Sequence, residues 1–123
     1  ILSDDVSLAP KDLLDICKTD HLMWRWRVYN MLLGYESINV ETIGTHKECR
    51  LGEWYYGEGS DKFKGDKLFA EMEQPHIDLH KYAKEAANAY LQKDMERAER
   101  ALAEMDKSSK KVVDVLERIK VKL

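Results

Sequence analysis

The soft and borderline ligand atoms of this chain sit on four histidines and two cysteines: His21, His46, His76, His80, Cys17 and Cys49. His76 and His80 stand four positions apart in "PHIDLHKYAKEA", residues 75–86, which otherwise reads as helix. Residues at i and i+4 of a helix are neighbours in space. Two adjacent buried imidazoles repel when protonated and need partners when neutral, and one metal ion satisfies both. A lone core histidine is more often a hydrogen-bonded structural residue, but the pair changes that balance. Zinc suits these donors, since it takes four ligands in a tetrahedron from imidazole nitrogen and thiolate sulfur. His21, on another helix's buried stripe, is the third candidate. Cys49 is the best fourth, because a cysteine in a helix's first turn gains from its positive end and ionises readily. Lys47 and Arg50 push the same way. The spacings are 28 residues from His21 to Cys49 and 27 from Cys49 to His76, and they match no zinc-finger pattern.

Other side chains nearby carry blander readings. His46, three residues before Cys49, is a competing ligand, but it suits the exposed start of a short helix better. Cys17, one turn before His21, is a spare thiolate or, more simply, a small buried hydrophobe beside the site. Trp24, Trp26 and Trp54 are read as core filling, with Trp24 and Trp54 keeping water from the metal. Arg25, Arg27 and Arg50 are read as solvated or paired at the surface.

Helices must position these groups. Pro10 opens a segment from about Lys11 to Leu33, and Gly34 ends it. Cys17, His21, Trp24, Val28, Met31 and Tyr35 recur along it at alternating spacings of four and three, the stripe of a bundle helix. Thr45 to Glu48 has the form of a capping box, which puts Cys49 near the start of a short helix that Gly52 stops. Residues 53–65, "EWYYGEGSDKFKG", read as an ordered loop with Trp54 and Phe63 packed down. A third helix runs from about Asp66 to Gln92 with its seam at Phe69, Met72, His76, Leu79 or His80, Ala83, Ala87 and Tyr90. Pro75 predicts a kink or loosened turn just before His76. The fourth helix, from about Asp94 to the end, carries Met95, Ala98, Leu102, Met105, Ser109, Val112, Leu116, Ile119 and Leu123 in an unbroken stripe. The link through Gln92, Lys93 and Asp94 is so short that helices three and four must be antiparallel neighbours. The fold class is therefore all-α, an antiparallel four-helix bundle with an extra short helix carrying Cys49.

The bulk numbers agree. The 123 residues suffice for one domain, read as a single unit over 1–123, and 44% hydrophobic with 35% charged residues suits a solvated helical bundle. Net charge is -3 with no basic block, which argues against nucleic acid. No apolar run is long enough to span a membrane, so no direct membrane contact is expected. Two cysteines are too few for a disulfide framework and fit a reducing cytoplasm. The opening "ILSDDVSLAPKD", with no initiator Met and no signal-peptide pattern, reads as a piece of a longer protein.

Three blocks in series carry a family resemblance: "DHLMWRWRVYNMLLG", "HKECRLGEWYYGEG" and "PHIDLHKYAKEA". The chain resembles the bacterial chemoreceptor zinc-binding domain, whose pattern is a His with Trp three residues on, a Cys-x-Leu-Gly-x-Trp block and a His-x-x-x-His block. Here these are His21 with Trp24, Cys49 through Trp54, and His76 with His80, with no departure at the ligand positions. The resemblance implies a zinc site of three histidines and one cysteine, a four-helix bundle, frequent homodimers and a cytoplasmic location. It also implies attachment to an output module, commonly a chemoreceptor's signalling tip or a diguanylate cyclase. Response to oxidants such as hypochlorous acid, through the zinc-bound Cys49 thiolate, or to zinc availability, follows from the same resemblance.

Two other classes are weaker. A zinc hydrolase needs an open coordination position and a nearby general base, yet Ile77 follows the first His, and four protein ligands leave no room for water. A di-iron bundle repeats Glu-x-x-His on two helices, and this chain has one instance, Glu73 to His76. The expectation is a non-enzymatic sensor domain.

Overall fold

The computed structural model describes residues 9–39 and 43–123. The opening eight residues, part of the segment read as cut from a longer protein, lie outside the described residues. Among the described residues six α-helices follow one another: α1 (Pro10–Leu32), α2 (Arg50–Tyr56), α3 (Glu58–Lys62), α4 (Lys67–Glu71), α5 (Glu73–Leu91) and α6 (Met95–Val121). They form four sides of an all-α bundle: α1, the short α2–α3 arm, α4 with α5, and α6. Ion pairs between Asp15 and Lys120, Lys18 and Glu117, and Arg25 and Asp106 run in opposite senses along α1 and α6, so these helices are antiparallel. Arg50 pairs with Asp20, while Trp54, further along α2, shares a cleft with Leu13, so α2 runs back down α1. Asp66, at the start of α4, pairs with Lys122, just past the end of α6, at 2.8 Å. The turn at 92–94 joins the opposite ends of α5 and α6. The order is thus up, down, up, down. No helix among the described residues is long and apolar enough to cross a membrane.

The α5–α6 pair is the backbone of the core. Ala83, Ala86, Ala87 and Ala89 on α5 and Ala98 and Ala101 on α6 are buried. Side chains this small let two helix axes approach closely. Leu102, Met105, Val112, Leu116 and Ile119 continue the buried stripe, as the sequence predicts. Each such side chain is worth roughly 1.5–3 kcal/mol of burial. Met95, at 40% exposed beside the turn, and Leu123, half-buried past the end of α6, are the exceptions on that stripe. Asp94 caps α6 by accepting from the Arg97 N–H, and Lys93 adopts the left-handed conformation that so short a turn requires.

Several expectations are corrected. Residues 53–65 are largely helical: α2 continues to Tyr56, and α3 follows Gly57. Phe63 and Trp54 are packed down as expected, in an aromatic cluster where Tyr55 stacks on Phe69 at 4.1 Å and its hydroxyl donates to the Phe69 carbonyl. Gly52 does not stop the helix. It is buried inside α2, and a Cβ there would lie 2.0 Å from the His46 carbonyl oxygen and 2.8 Å from the Lys47 Cα. The 46–47 backbone lies flat on the helix, and only glycine leaves it room. The span read as one helix from Asp66 to Gln92 is two, broken at Met72; Pro75 falls in the first turn of α5, where a missing N–H costs nothing. Tyr35 lies beyond α1 and is 82% exposed, and Trp26 is 66% exposed rather than core filling.

Candidate metal centre

Three sides of the bundle deliver four ligand-bearing groups to one point. His21 comes from α1, Cys49 from the start of α2, and His76 and His80 from successive turns of α5. One ligand atom from each lies within 4.8 Å of every other. His21 Nε2 is 3.1 Å from His76 Nε2, and the Cys49 Sγ is 3.2 Å from His76 Nε2 and 4.0 Å from His21 Nε2. The three histidines are buried and Cys49 is half-buried.

Local structure fixes two of the groups. His21 Nδ1 lies 2.7 Å from the Cys17 carbonyl one turn back, and it donates there, since a carbonyl only accepts. That sets the tautomer and leaves Nε2 as the donor atom. Cys49 is the residue that caps α2: its backbone is extended, and its sulfur accepts from the Gly52 N–H at 3.4 Å. The expected capping box of Thr45 and Glu48 is instead a backbone turn, closed by the Glu48 N–H on the Thr45 carbonyl. The sulfur takes the acceptor's place at the helix start. Cys49 also approaches the His46 carbonyl at 3.5 Å.

Without a cation the cluster is unfavourable. Burial holds His76 down to about 2, with the facing His21, His80 and His46 adding to the effect. Burial and His21 hold His80 down to about 4, and burial lowers His21 as well. Both ring nitrogens of His80 are buried without a hydrogen-bond partner. The Gly44 backbone opposes this shift without coming into hydrogen-bond geometry with the His80 ring. Each unsatisfied buried polar atom costs about 1–3 kcal/mol. Burial also raises the Cys49 thiol above its ordinary range, and the Gly52 and Leu51 N–H groups only partly offset this. The expected ready ionisation from the helix start, Lys47 and Arg50 is therefore outweighed by burial. Arg50 is engaged with Asp20 at 3.3 Å, and Lys47 lies over the Tyr56 ring. A divalent cation reverses the balance, because it takes lone pairs from neutral imidazoles and deprotonates a coordinating thiol. The donor chemistry and the orphaned His80 nitrogens fit zinc.

The remaining predicted neighbours fall in different places. Cys17 is buried beneath His21 and stays outside the ligand group. Burial, with Asp20 and Cys49 nearby, pushes its thiol up to about 12. Trp24 borders a cleft of about 350 Å³ that opens onto His21, Cys49 and His80, with Asp20, Glu48 and Arg50 at its edge. Trp54 packs instead on Phe63 and Phe69, with Gly59 beneath its ring, and so holds α2 rather than facing the ligands. Arg25 and Arg27 are paired, with Asp106 and Glu36.

What sequence reasoning missed is the hydrogen-bonded chain beside the site. The Tyr56 hydroxyl donates to Glu73 at 3.1 Å, and His46 Nε2 lies 3.1 Å from the same hydroxyl. The His46 ring is edge-on to His76 with centroids 5.8 Å apart. Tyr56 lies one helical turn beyond Gly52 on α2, a spacing that could have suggested a partner for the 46–47 turn.

Comparison with curated proteins and with solved structures gives no match. The sequence profile of the chemoreceptor zinc-binding domain matches residues 21–87, more than half of the chain and the whole span from the first to the last of the four ligand-bearing groups. The chain belongs to the chemoreceptor zinc-binding domain family.

Proposed function

We propose that the chain is a regulatory rather than catalytic module, the sensory part of a cytoplasmic bacterial signalling protein such as a chemoreceptor, with zinc held by His21, Cys49, His76 and His80. Four protein donors leave no open position for a substrate or water. One observation carries the sensing role: the three imidazoles are buried, and the single sulfur is the half-exposed member, at the edge of an open cleft. The thiolate is the form that two-electron oxidants attack. With hypochlorous acid the net change is thiolate plus HOCl giving sulfenic acid plus chloride, a two-electron loss at sulfur. Sulfur then holds the metal less strongly, while three imidazoles still retain it. Cys49 caps α2, so a change at sulfur acts on the α2–α3 arm first. From there α1 and α6 offer a path to an output domain, joined as they are by the Arg25–Asp106 and Tyr29–Asp106 contacts.

A stoichiometric oxidant tests this. Mass spectrometry should find Cys49 modified before Cys17 and the methionines, with zinc retained. If Cys49 stays reduced while other sites oxidise, zinc availability becomes the signal and loss of the whole ion its form.

The same proposal includes a homodimer. Exposed apolar side chains gather on α1, at Leu22, Met23 and Trp26. These three side chains support α1 as the contact surface.

A further inference from the structure

His46 is placed and prepared as a ligand, yet it stands outside the group of four. It is three residues before Cys49 in the same turn, and its carbonyl faces the Cys49 sulfur at 3.5 Å. Its ring lies against His76 at 5.8 Å between centroids. The turn that carries it is held flat on α2 by the glycine at 52, where any Cβ would strike the His46 carbonyl. Its protonation is set from outside. The Tyr56 hydroxyl has one hydrogen, committed to Glu73, so it can only accept from His46 Nε2. A neutral His46 ring therefore carries its hydrogen on Nε2 and its lone pair on Nδ1. Fixing one ring nitrogen by a hydrogen bond to leave the other free is how metal-binding histidines are generally prepared. His21 is prepared in this way by the Cys17 carbonyl.

We propose that His46 is the reserve fourth ligand: when the Cys49 sulfur stops donating, the His46 ring takes its position, and zinc stays bound by four histidines. This rests on the ligand assignment above. It supplies a fourth protein donor at the position that three imidazoles alone would leave to water. Exchange of sulfur for nitrogen also moves the 46–49 turn relative to α2, because one residue of the turn replaces another.

Cobalt substitution in the intact domain provides the test, because tetrahedral cobalt absorbs strongly and a cobalt–thiolate bond adds a charge-transfer band. The wild-type protein should show both features. Cys49→Ala should lose the charge-transfer band and keep the tetrahedral bands. Cys49→Ala/His46→Gln, left with three imidazoles and a water, should show altered cobalt bands and bind cobalt and zinc at least about tenfold more weakly than Cys49→Ala. Glutamine retains a polar group for Tyr56, and circular dichroism of each variant confirms the fold. Equal spectra and affinities for the single and double variants would overturn the role of His46. A wild-type spectrum with no thiolate band would instead overturn the ligand assignment itself, and the inference with it. If the double variant does not fold, alkylation of Cys49 in the folded wild-type and His46→Gln proteins makes the same comparison.

Discussion

The Nε2 atoms of His21 and His76 face each other at 3.1 Å, deep between α1 and α5. His21 has given its only hydrogen to the Cys17 carbonyl, so its facing nitrogen is a bare lone pair. That nitrogen, with the His76 ring at 3.1 Å, a thiol at 3.2 Å from His76 Nε2 and an unpartnered His80 alongside, makes a cluster in which donor atoms outnumber hydrogens to share. The consequences of that arrangement can be measured.

Acid should destabilise the metal-free domain. The three histidines are held neutral by burial, with folded pKa values below the ordinary 6.5, about 4 for His80 and about 2 for His76. Between those values and 6.5 the unfolded chain binds more protons, so stability rises with pH and is lost as pH falls. Each group contributes at most about 1.4 kcal/mol per pH unit in that window. Thermal melts of the chelated domain should shift down between about pH 7 and about pH 5. An unchanged or higher melting temperature at the acidic end would show that the imidazoles are already charged or solvated.

Chelation should loosen the bundle without unfolding it. The α5–α6 contact and the stripe from Leu102 to Ile119 do not involve the ligand group. Their burial stands for several side chains at roughly 1.5–3 kcal/mol each. The melting temperature should fall while most helical circular dichroism remains. Loss of all helix would mean that the metal carries the fold, as it does in zinc fingers.

Gly52→Ala should damage the site more than its size suggests. The added Cβ meets the backbone of the 46–47 turn, which cannot swing aside as a flexible side chain would. Overpacking of this kind costs about 1–3 kcal/mol, and the displaced turn takes Cys49 with it, so zinc affinity should fall too. Gly34→Ala is the control. Its left-handed φ of 83° strains any other residue, but open space surrounds it, so stability should drop with zinc binding intact. Equal zinc affinities in the two variants would remove the turn from the account.

Much of this was legible in the chain, and the reasons are physical. The four ligand-bearing positions stood out because His76 and His80 share a helical turn and His21 falls on an apolar stripe, both properties of sequence spacing. The α6 stripe was equally plain. Gly52 was not, because a glycine after a short run reads as a helix stop. Only the turn lying across it explains why it sits buried inside α2. The ionisation of Cys49 was misread for a related reason: helix position and nearby cations were visible, while the burial that outweighs them was not. Trp26 shows the same limit, since a residue's type does not reveal which face of α1 meets α6.

Trp26→Glu should break the proposed homodimer while leaving the monomer folded. Trp26 is 66% exposed with Met23 beside it, so a charge there costs little in one chain and much in an apolar contact between two. Light scattering at tens of micromolar should change from dimer to monomer. A wild-type protein that is monomeric at that concentration would remove the dimer from the proposal.

X-ray absorption at the zinc edge of the purified domain tests the ligand assignment most directly. The account predicts about one zinc per chain, with one sulfur at about 2.3 Å and three nitrogens at about 2.0–2.1 Å. In Cys49→Ala the sulfur should vanish and nitrogen should replace it. Absence of zinc after purification without chelators, or a first shell with no sulfur in the wild-type protein, would contradict the claim that His21, Cys49, His76 and His80 hold the metal.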